Sequence, residues 1–326
     1  MRILITGGGG FIGQKLAKKL GETGVLNGTA IAELTLADIH TPASVAASMP
    51  VHCVTADVSD ASVVKALFAE NPDVIYHLAA VVSGAAEADF DLGMRANLGG
   101  TMNILDAART SGARSGKPPM VIYSSSIAAH GGNAPDLIRD GDLLNPQTSY
   151  GTQKVVGELL LQDYSRKGFI DGRGLRLPTV TIRPGKANAA ASSFMSSIFR
   201  DPLQGHSANC PVGRDFPVWH SSPRVLVENL IHAASIPADA FGFDRNLNLP
   251  GRTDTIGEMI DAMTAVTGPD AENRITWAPD AKLQKIVLGW RGRFAPDRGL
   301  ALGFKVDQSF ADNVRYFLED DVVSPA

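Results

Sequence analysis

A run of four glycines near the N-terminus constrains the fold more than any other feature of the sequence. The segment Thr6–Gly13, TGGGGFIG, follows the apolar run Arg2–Ile5 and precedes a helix-like stretch at residues 14–20. Glycines between a strand and a helix permit positive φ and let the backbone approach a pyrophosphate, which the N–H groups and dipole of the helix N-terminus stabilise. The segment therefore predicts a dinucleotide-binding turn.

Two glycine spacings fit this turn, and they are typical of different dinucleotide-binding families. Gly8, Gly10 and Gly13 form G-x-G-x-x-G, whereas Gly7, Gly10 and Gly13 form G-x-x-G-x-x-G. No G-K-[ST] follows, so an ATP-type loop is not indicated. The turn alone leaves the choice between the two spacings open.

Short β-rich runs alternate with helix-like stretches through the first half of the chain. Several runs are apolar on both alternate positions, as strands covered by helices on both faces require. This pattern predicts an α/β fold with a doubly wound parallel sheet of the Rossmann type, which binds ligands at the carboxyl ends of its strands. The predicted strands are Arg2–Ile5, Glu33–Ala37, Val51–Thr55, Val74–His77, Met120–Tyr123 and Val180–Ile182.

The composition changes after Pro184, where Gly, Pro, Ser and Asn become frequent. Helical periodicity returns at Pro223–Ser235 and at residues 255–267. We therefore expect a dinucleotide-binding domain of the Rossmann type at residues 1–185, to which some later segments return. Residues 186–326 are expected to form mainly a smaller C-terminal substrate-binding lobe.

Charge and cysteine content limit the class of partner. The net charge is -4 with mixed signs, so neither a nucleic-acid surface nor a basic membrane arm is indicated, and small metabolites are the expected partners. Cys53 and Cys210 lack a metal-binding spacing and are predicted to be buried thiols. No window reaches the roughly 18 apolar residues of a membrane span, and the predicted location is the cytoplasm.

Asp38, at the end of the second predicted strand, indicates the cofactor. An acid there accepts hydrogen bonds from the adenosine ribose and repels a 2′-phosphate, so NAD is favoured over NADP. Helix capping is the alternative role for Asp38. Asp57 and Val58, after the third strand, are predicted to contact adenine, with N-capping of the next helix as the alternative for Asp57.

The segment Ser149–Lys154, SYGTQK, carries the predicted chemistry. Tyr150 and Lys154 are four residues apart and share one face of a helix. A neighbouring ammonium favours the phenolate, so Tyr150 is expected to act as a base for a substrate hydroxyl. Ser124, Ser125 and Ser126 end the fifth predicted strand, where a hydroxyl would hold the oxygen that becomes a carbonyl.

These features together resemble the extended short-chain dehydrogenase/reductase family, and the resemblance covers almost the whole chain. The family's glycine spacing is G-x-x-G-x-x-G, which selects Gly7, Gly10 and Gly13. The resemblance implies that Ser126 is the catalytic serine, with Ser125 as the fallback. It implies that Tyr150 is the general base, and that Lys154 is its partner and binds the nicotinamide ribose.

The resemblance implies further cofactor contacts and a dimer. Asn97 would support the active-site backbone, and Pro184 would follow the strand at the nicotinamide end. A homodimer through helices near residues 94–108 and 150–164 is also implied. The remaining implied positions are Phe11 and Ile12 in the turn, Leu78, Ala79 and Ala80 along the cofactor, Ser124 at the strand end, and Ser83 at the cofactor or substrate.

The C-terminal half indicates the substrate. Residues 212–234 resemble a group within that family that oxidises C2 of a four-carbon sugar acid with NAD. Arg183, Arg214 and Arg224 are the candidate receptors for its carboxylate, since guanidinium groups bind carboxylates in a bidentate manner. For Arg224 the alternative is a surface ion pair beside Ser222, which would cap a helix. His220 is expected to shape the pocket, and Trp219 to pack within the lobe.

Two other functions fit parts of the pattern. A sugar-nucleotide epimerase or dehydratase with tightly bound NAD would use the same turn and tyrosine, but aromatic residues that could stack a base are only 6% of the chain. A non-enzymatic cofactor sensor is the other alternative. Both Tyr150 and Lys154 are present, which favours an enzyme.

Overall fold

The computed structural model describes residues 1–185, 191–287 and 289–322. The chain divides into two compact units, and each is built from separate stretches of sequence. The first unit comprises residues 1–129, 148–177 and 227–248, and the second comprises residues 130–147, 178–226 and 249–326.

The first unit contains a seven-stranded sheet in which every described pairing is parallel. In chain order the strands are β1 (Arg2–Thr6), β2 (Glu33–Asp38), β3 (Val51–Thr55), β4 (Val74–His77), β5 (Met120–Ser126), β6 (Asp171–Leu177) and β7 (Asn246–Asn248). Their order across the sheet is β7-β6-β5-β4-β1-β2-β3. The predicted doubly wound parallel sheet is confirmed.

Helices connect these strands. Leu4, Ile75 and Val121 of the sheet are buried in one apolar cluster with Ile104 and Leu105 of a long helix. The helices are α1 (Phe11–Thr23), α2 (Ala61–Leu67), α3 (Ser83–Ala88), α4 (Phe90–Gly93), α5 (Gly100–Ser115) and α6 (Ser149–Arg166), with a π-helix at Met94–Gly99. Smaller elements are the hairpin of Val25–Leu26 and Thr29–Ala30 and 3-10 turns at Ile127–Ala129 and Ala238–Phe241.

Five of the six predicted strands lie in this sheet, and the sixth prediction was wrong. The sixth strand in chain order is β6, not Val180–Ile182. Residues Thr179–Val180 pair instead with Pro217–Ser221 in a three-stranded sheet of the second unit.

The sequence of β6, DGRGLRL, does not show the pattern of a buried strand, because glycines and charged residues predominate. At Gly172 a side chain would collide with α6, since a Cβ would lie 2.8 Å from Leu161 Cγ. Both arginines of β6 are buried and paired with carboxylates: Arg173 Nη2 lies 2.6 Å from Oδ2 of the partly buried Asp171, and Arg176 binds Glu158. Burial of paired charges removes the apolar pattern by which a central strand is recognised.

The second unit has its own core and smaller sheets. Its three-stranded sheet contains Thr179–Val180, Pro217–Ser221 and Arg252–Thr255. Its two strand pairs are Ala208–Asn209 with Ile275–Thr276 and Ile138–Arg139 with Phe294–Ala295. Helices are Phe194–Leu203, Ala281–Val287, Asp297–Ala301 and Phe310–Asp320, with 3-10 turns at Ala191–Ser193 and Glu272–Arg274.

Both predicted C-terminal helices are confirmed, at Pro223–Ser235 and Ile256–Thr267. Thr255 and Glu258 form a capping box at the start of the latter. Cys210 is a buried free thiol as predicted, whereas the free thiol Cys53 is only partly buried. No helix in the described part of the chain combines the length and apolar character that crossing a bilayer requires.

Candidate active site

The glycine turn joins β1 to α1, and two of its glycines are sterically required. Gly7 has φ +73°, and a Cβ there would lie 2.7 Å from Ala79 N. A Cβ at Gly13 would collide with Gly7 O and lie 2.9 Å from Gly8 Cα. These contacts bring helix, turn and the end of β4 closer together than any side chain at Gly7 or Gly13 would allow.

Gly10 lies at the N-cap of α1, with φ -70° and no side-chain cap in the described chain. A helix that starts without a side-chain cap leaves its first N–H groups for an anion. The nearest contact of a Cβ at Gly10 would be Gly7 O at 3.3 Å. The structure thus gives Gly7, Gly10 and Gly13 distinct physical roles, and Phe11 and Ile12 form the first residues of the helix.

Asp38 lies at the end of β2 beside this turn. Its Oδ2 accepts a hydrogen bond from Gly9 N at 2.9 Å, and its Oδ1 accepts one from Ile39 N at 2.7 Å. The residues after Asp38 are not helical, so the helix-capping alternative was wrong. The carboxylate lies next to the glycine turn, where the predicted ribose contact requires it.

Asp57 and Val58 follow β3. Asp57 Oδ1 accepts from Ser59 N at 2.8 Å, while Asp60 is the N-cap of α2, so the capping alternative for Asp57 was wrong. Val58 is buried, and its carbonyl accepts from Asn103 Nδ2 at 2.9 Å.

The segment Leu78–Ala80 directly follows β4 and runs beside the turn. Leu78 N donates to Thr6 O at 3.0 Å, and Ala79 is the neighbour that excludes a side chain at Gly7. Ser83 is the first residue of α3.

Helix α6 carries the predicted base and its partner. Thr148 caps the helix by accepting from Gly151 N at 3.1 Å, which fixes where the first turn begins. Lys154 Nζ lies 5.6 Å from the centroid of the Tyr150 ring and 4.9 Å from that of Tyr123. The structure therefore brings Tyr150 and Lys154 together as predicted.

Lys154 is buried and donates from Nζ to Ser124 O at 2.7 Å. Burial lowers the pKa of its ammonium from the ordinary value to about 7, while the carboxylate of Glu158 opposes that shift.

The three serines at the end of β5 have different partners. Ser124 Oγ donates to His77 O at 3.0 Å, and Ser125 Oγ donates to the buried Glu158 carboxylate. Ser126 is the last residue of β5 and is only partly buried; its Oγ accepts from Ala128 N at 3.1 Å. This arrangement leaves the Ser126 O–H able to donate to a substrate oxygen, and it favours Ser126 over Ser125 for that role.

Asn97 lies in the π-helix, a form often found at functional sites. Its Oδ1 accepts from Val81 N at 2.7 Å, and its Nδ2 donates to Gln153 Oε1 at 2.7 Å. Asn97 thus links Val81, which follows the predicted cofactor contacts at residues 78–80, to helix α6. Gln153 was not predicted, and no sequence signal distinguishes it from a surface residue of that helix.

Three further buried residues were missed. His77 Nδ1 lies 2.7 Å from Thr6 Oγ1, and burial together with the positive charge of Lys154 lowers the pKa of His77 to about 3. Glu158 and Arg176 form an ion pair behind Lys154. The position of Glu158, four residues after Lys154 on the same helical face, was the available signal.

The three candidate arginines all lie in the second unit. Arg214 pairs with Asp261 and Glu272, and Arg224 pairs with Asp320 and Glu319. The surface ion-pair alternative for Arg224 is therefore what the structure contains.

Arg183 donates from Nε to Val180 O at 2.9 Å and from Nη2 to Ser192 Oγ at 2.8 Å.

Pro184 does not follow a strand of the large sheet, since β6 ends at Leu177 and is followed by Pro178.

The partners of Ser222, Trp219 and His220, three further residues of the second unit, are defined by the structure. Ser222 caps its helix by accepting from Val225 N at 3.1 Å. Trp219 is buried and stacks on Phe294 with ring centroids 5.1 Å apart, as expected for a packed aromatic residue. His220 is buried, with Nε2 2.9 Å from Asp254 Oδ2.

Comparisons with known proteins identify the family of the chain. The model of the NAD dependent epimerase/dehydratase family matches residues 3–222. A D-erythronate dehydrogenase of Cupriavidus necator is 46% identical over 324 residues, which cover 98% of this chain and 98% of the relative. A D-erythronate dehydrogenase of Haemophilus influenzae is 42% identical over 322 residues, 99% of this chain and 100% of the relative.

A crystal structure described as a nucleoside-diphosphate-sugar epimerase from Agrobacterium tumefaciens is also similar. It has a TM-score of 0.94 and 44% identity, and the match covers 98% of this chain and 94% of that one. The family match spans more than half of the chain, and the two dehydrogenases match it almost from end to end. The expected resemblance is confirmed, and the chain belongs to the NAD dependent epimerase/dehydratase family.

Proposed function

We propose that the protein is an NAD-dependent dehydrogenase that oxidises C2 of D-erythronate to give 2-oxo-tetronate. The observation that carries this proposal is the near full-length identity, 46% and 42%, to two relatives named D-erythronate dehydrogenase. The resemblance of residues 212–234 to dehydrogenases of a four-carbon sugar acid points to the same group of relatives.

The residues of the first unit fit NAD. Gly7 and Gly13 close the turn, and Gly10 offers the uncapped start of α1 to a pyrophosphate. Asp38, held beside the turn by Gly9 N, would accept the ribose hydroxyls and repel a 2′-phosphate. When bound, NAD supplies the acceptor for the hydride that leaves C2 of the substrate.

The chain's own residues would handle the proton and orient the alcohol. Tyr150 would remove the proton of the C2 hydroxyl as a phenolate, which the ammonium of Lys154 favours. Ser126, at the open end of β5, would donate to the same oxygen as it becomes a carbonyl. Ser124 places Lys154 by accepting its hydrogen bond.

The substrate carboxylate would be held by an arginine. Arg214 and Arg224 already bind two carboxylates each, so a substrate carboxylate would compete with those ion pairs. Arg183 also has partners, the Val180 carbonyl and Ser192 Oγ, so all three arginines are to be replaced in parallel. For the arginine that binds the carboxylate, the alanine variant (Arg183→Ala, Arg214→Ala or Arg224→Ala) is expected to raise KM for D-erythronate with little change in affinity for NAD.

We also propose a cytoplasmic homodimer. The apolar side chains of Met102 on α5 and Leu159 on α6 are exposed by 49% and 64%, on the two helices predicted to meet a second copy. Both cysteines are free thiols, as a reducing compartment favours. Light scattering of the wild-type protein and of a Leu159→Asp variant tests the dimer, since the variant is expected to be monomeric.

One observation favours a second candidate function, an epimerase with tightly held NAD. The similar Agrobacterium tumefaciens structure is described as a nucleoside-diphosphate-sugar epimerase. Such an enzyme would convert a nucleotide-sugar without net formation of NADH.

The deciding assay measures NADH formed from NAD, or NADPH formed from NADP, with D- and L-tetronates, pentonates, simple 2-hydroxy acids and UDP-sugars as substrates. NADH formed from D-erythronate, and about 10²–10⁴-fold less in a Tyr150→Phe variant, is the expected result. Consumption of a UDP-sugar without NADH would replace the dehydrogenase by the epimerase. Full turnover by the Tyr150→Phe variant would overturn the assignment of the base.

A further inference from the structure

A buried cluster of charges lies one helical turn after Lys154 on α6, and the proposed reaction steps do not use it. Glu158 and Arg176 are 1% and 5% exposed. Arg176 Nε lies 3.0 Å from Glu158 Oε1, and Nη2 lies 2.7 Å from Oε2, so the guanidinium binds the carboxylate through both oxygens. Ser125 Oγ donates to Glu158 Oε1 as well.

The cluster is connected to the predicted catalytic groups through two elements. Tyr150, Lys154 and Glu158 follow each other at intervals of four residues along α6, so they form one stripe on the helix. In the sheet, Arg176 of β6 is in register with Ser125 of β5. The stripe and the strand are joined twice, by Lys154 to Ser124 O and by Glu158 to Ser125 Oγ.

Ser124 and Ser125 make these two links, and the next residue, Ser126, ends β5. A strand end tied to α6 at two successive residues has little freedom to shift along the helix. The spacing between the Ser126 hydroxyl and the Tyr150 side chain therefore depends on Glu158 and on Lys154, although Glu158 lies in the interior.

The electrostatic surroundings of Lys154 give Glu158 a second effect. A desolvated ammonium tends to lose its proton, and a nearby carboxylate opposes that loss. The effect of Glu158 on Lys154 has this direction. The charged or titratable groups around Lys154 come from β4, β5, β6 and α6: His77, Tyr123, Arg176, Tyr150 and Glu158.

We propose that Glu158 is a positioning residue of the active site, whose buried carboxylate, fixed by Arg176 and Ser125, keeps Lys154 charged and holds the end of β5 against α6. The catalytic meaning of that charge rests on the proposed function. The charge of Lys154 itself is measurable without any turnover, so the two ideas fail separately.

The first test is an NMR titration of the full-length protein labelled with ¹³C-lysine, with the Lys154 Cε signal assigned through a Lys154→Arg variant. In the wild type the Lys154 midpoint is expected near 7. A Glu158→Gln variant keeps the size of the side chain but loses its charge, and its Lys154 midpoint is expected to fall by at least one pH unit. An unchanged midpoint would overturn the proposal.

Two further variants keep the test decisive. Glu158→Gln leaves the Arg176 charge buried without its anion, so that variant risks misfolding. A Glu158→Gln/Arg176→Met double variant removes both charges, and its Lys154 midpoint is expected between those of the Glu158→Gln variant and the wild type, because loss of the Arg176 cation favours the ammonium while loss of the carboxylate disfavours it. A midpoint above that of the wild type would mean that Arg176 outweighs Glu158 at Lys154, and the proposal would be wrong. The matched surface control is Glu70→Gln, which removes an exposed carboxylate and is expected to leave the midpoint in place.

Activity supplies a readout that a merely structural role would not produce. The alkaline limb of the kcat/KM profile for D-erythronate is expected to move to lower pH in the Glu158→Gln variant, in parallel with the NMR midpoint. A uniform loss of kcat at every pH, without a shift of the limb, would contradict the electrostatic role. If the NMR midpoint moves while a Tyr150→Phe variant remains fully active, the proposed function fails and the Glu158–Lys154 coupling stands.

Discussion

The two halves of the candidate site depend on opposite properties of their residues. The glycine turn requires the absence of side chains, since Gly7 and Gly13 lie where any Cβ would collide with backbone. The region around Lys154 instead contains buried charged side chains, with the ammonium and the Glu158–Arg176 pair packed between α6 and the sheet. Substitutions in the turn should therefore act through steric collisions, whereas substitutions around Lys154 should act through changes in charge and pH dependence.

The largest effect that separates the halves is expected for Lys154→Met. Loss of the ammonium should reduce kcat/KM by about 10²–10⁴-fold, since the predicted base then lacks its activating charge. Stability should not fall in parallel, because burial disfavours the charge of Lys154 and its pKa is lowered to about 7. Steady-state kinetics and urea unfolding of the same preparation measure both.

The sign of the pH effect follows from that shift. Between pH 7 and about 10.5 the unfolded lysine holds a proton that the folded one has lost, so wild-type stability should rise with pH through that window. The Lys154→Met variant should lack this part of the slope. Normal turnover in the variant would contradict the role of the lysine.

The next effect concerns His77 at low pH. Its folded pKa, about 3, lies below the ordinary 6.5, so its contribution to stability is complete above pH 6.5 and declines as the pH falls towards 3. The decline is at most about 1.4 kcal/mol per pH unit. Unfolding free energies between pH 4 and 6.5 should show a shallower slope in His77→Gln, and an equal slope in both proteins would exclude this site as the source.

In the glycine turn, a Gly13→Ala variant tests whether steric collision with the backbone is what requires glycine. The added methyl group must displace Gly7 or α1, which should cost about 1–3 kcal/mol of unfolding free energy and weaken NAD binding. The matched control is Gly141→Ala, where a Cβ meets nothing within 4 Å and φ is not positive. If both alanine variants unfold at the same urea concentration, the close approach in the turn is not what requires glycine.

The smallest effect is expected for Asp38→Ala. NAD affinity should fall about tenfold, or about 1.4 kcal/mol, while affinity for NADP relative to NAD rises. Isothermal titration with each cofactor measures both changes. Asp136→Ala removes a carboxylate whose side chain is 97% exposed and serves as the control. Unchanged discrimination between the cofactors would remove Asp38 from the adenosine end of the site.

Prediction from sequence succeeded where the local pattern reflects the fold directly. The strands Val51–Thr55 and Val74–His77 were placed to the residue, because short β-rich runs between turn residues leave few alternatives. It failed at β6, where paired charges replace the apolar run, and it therefore placed Pro184 after a strand of the wrong sheet.

The candidate site divides in the same way. Tyr150 and Lys154 are recognisable because their spacing on one helix is local, and Asp38 because it ends a strand. The resemblance selected Ser126 over Ser125, but the residues themselves give no physical reason for that choice. Their difference arises from the alternation of side chains along β5, which directs Ser125 to Glu158 and leaves Ser126 at the strand end.

The sequence by itself determined the parallel α/β fold, the glycine turn, and the pairing of Tyr150 with Lys154, since each depends on residues close together in the chain. Only the tertiary structure decided that Arg176 and Glu158 meet beside Lys154, because β6 and α6 contribute those side chains from separate elements. Burial then gives those charges their strength, and burial is a property of the folded chain that no short stretch of sequence contains.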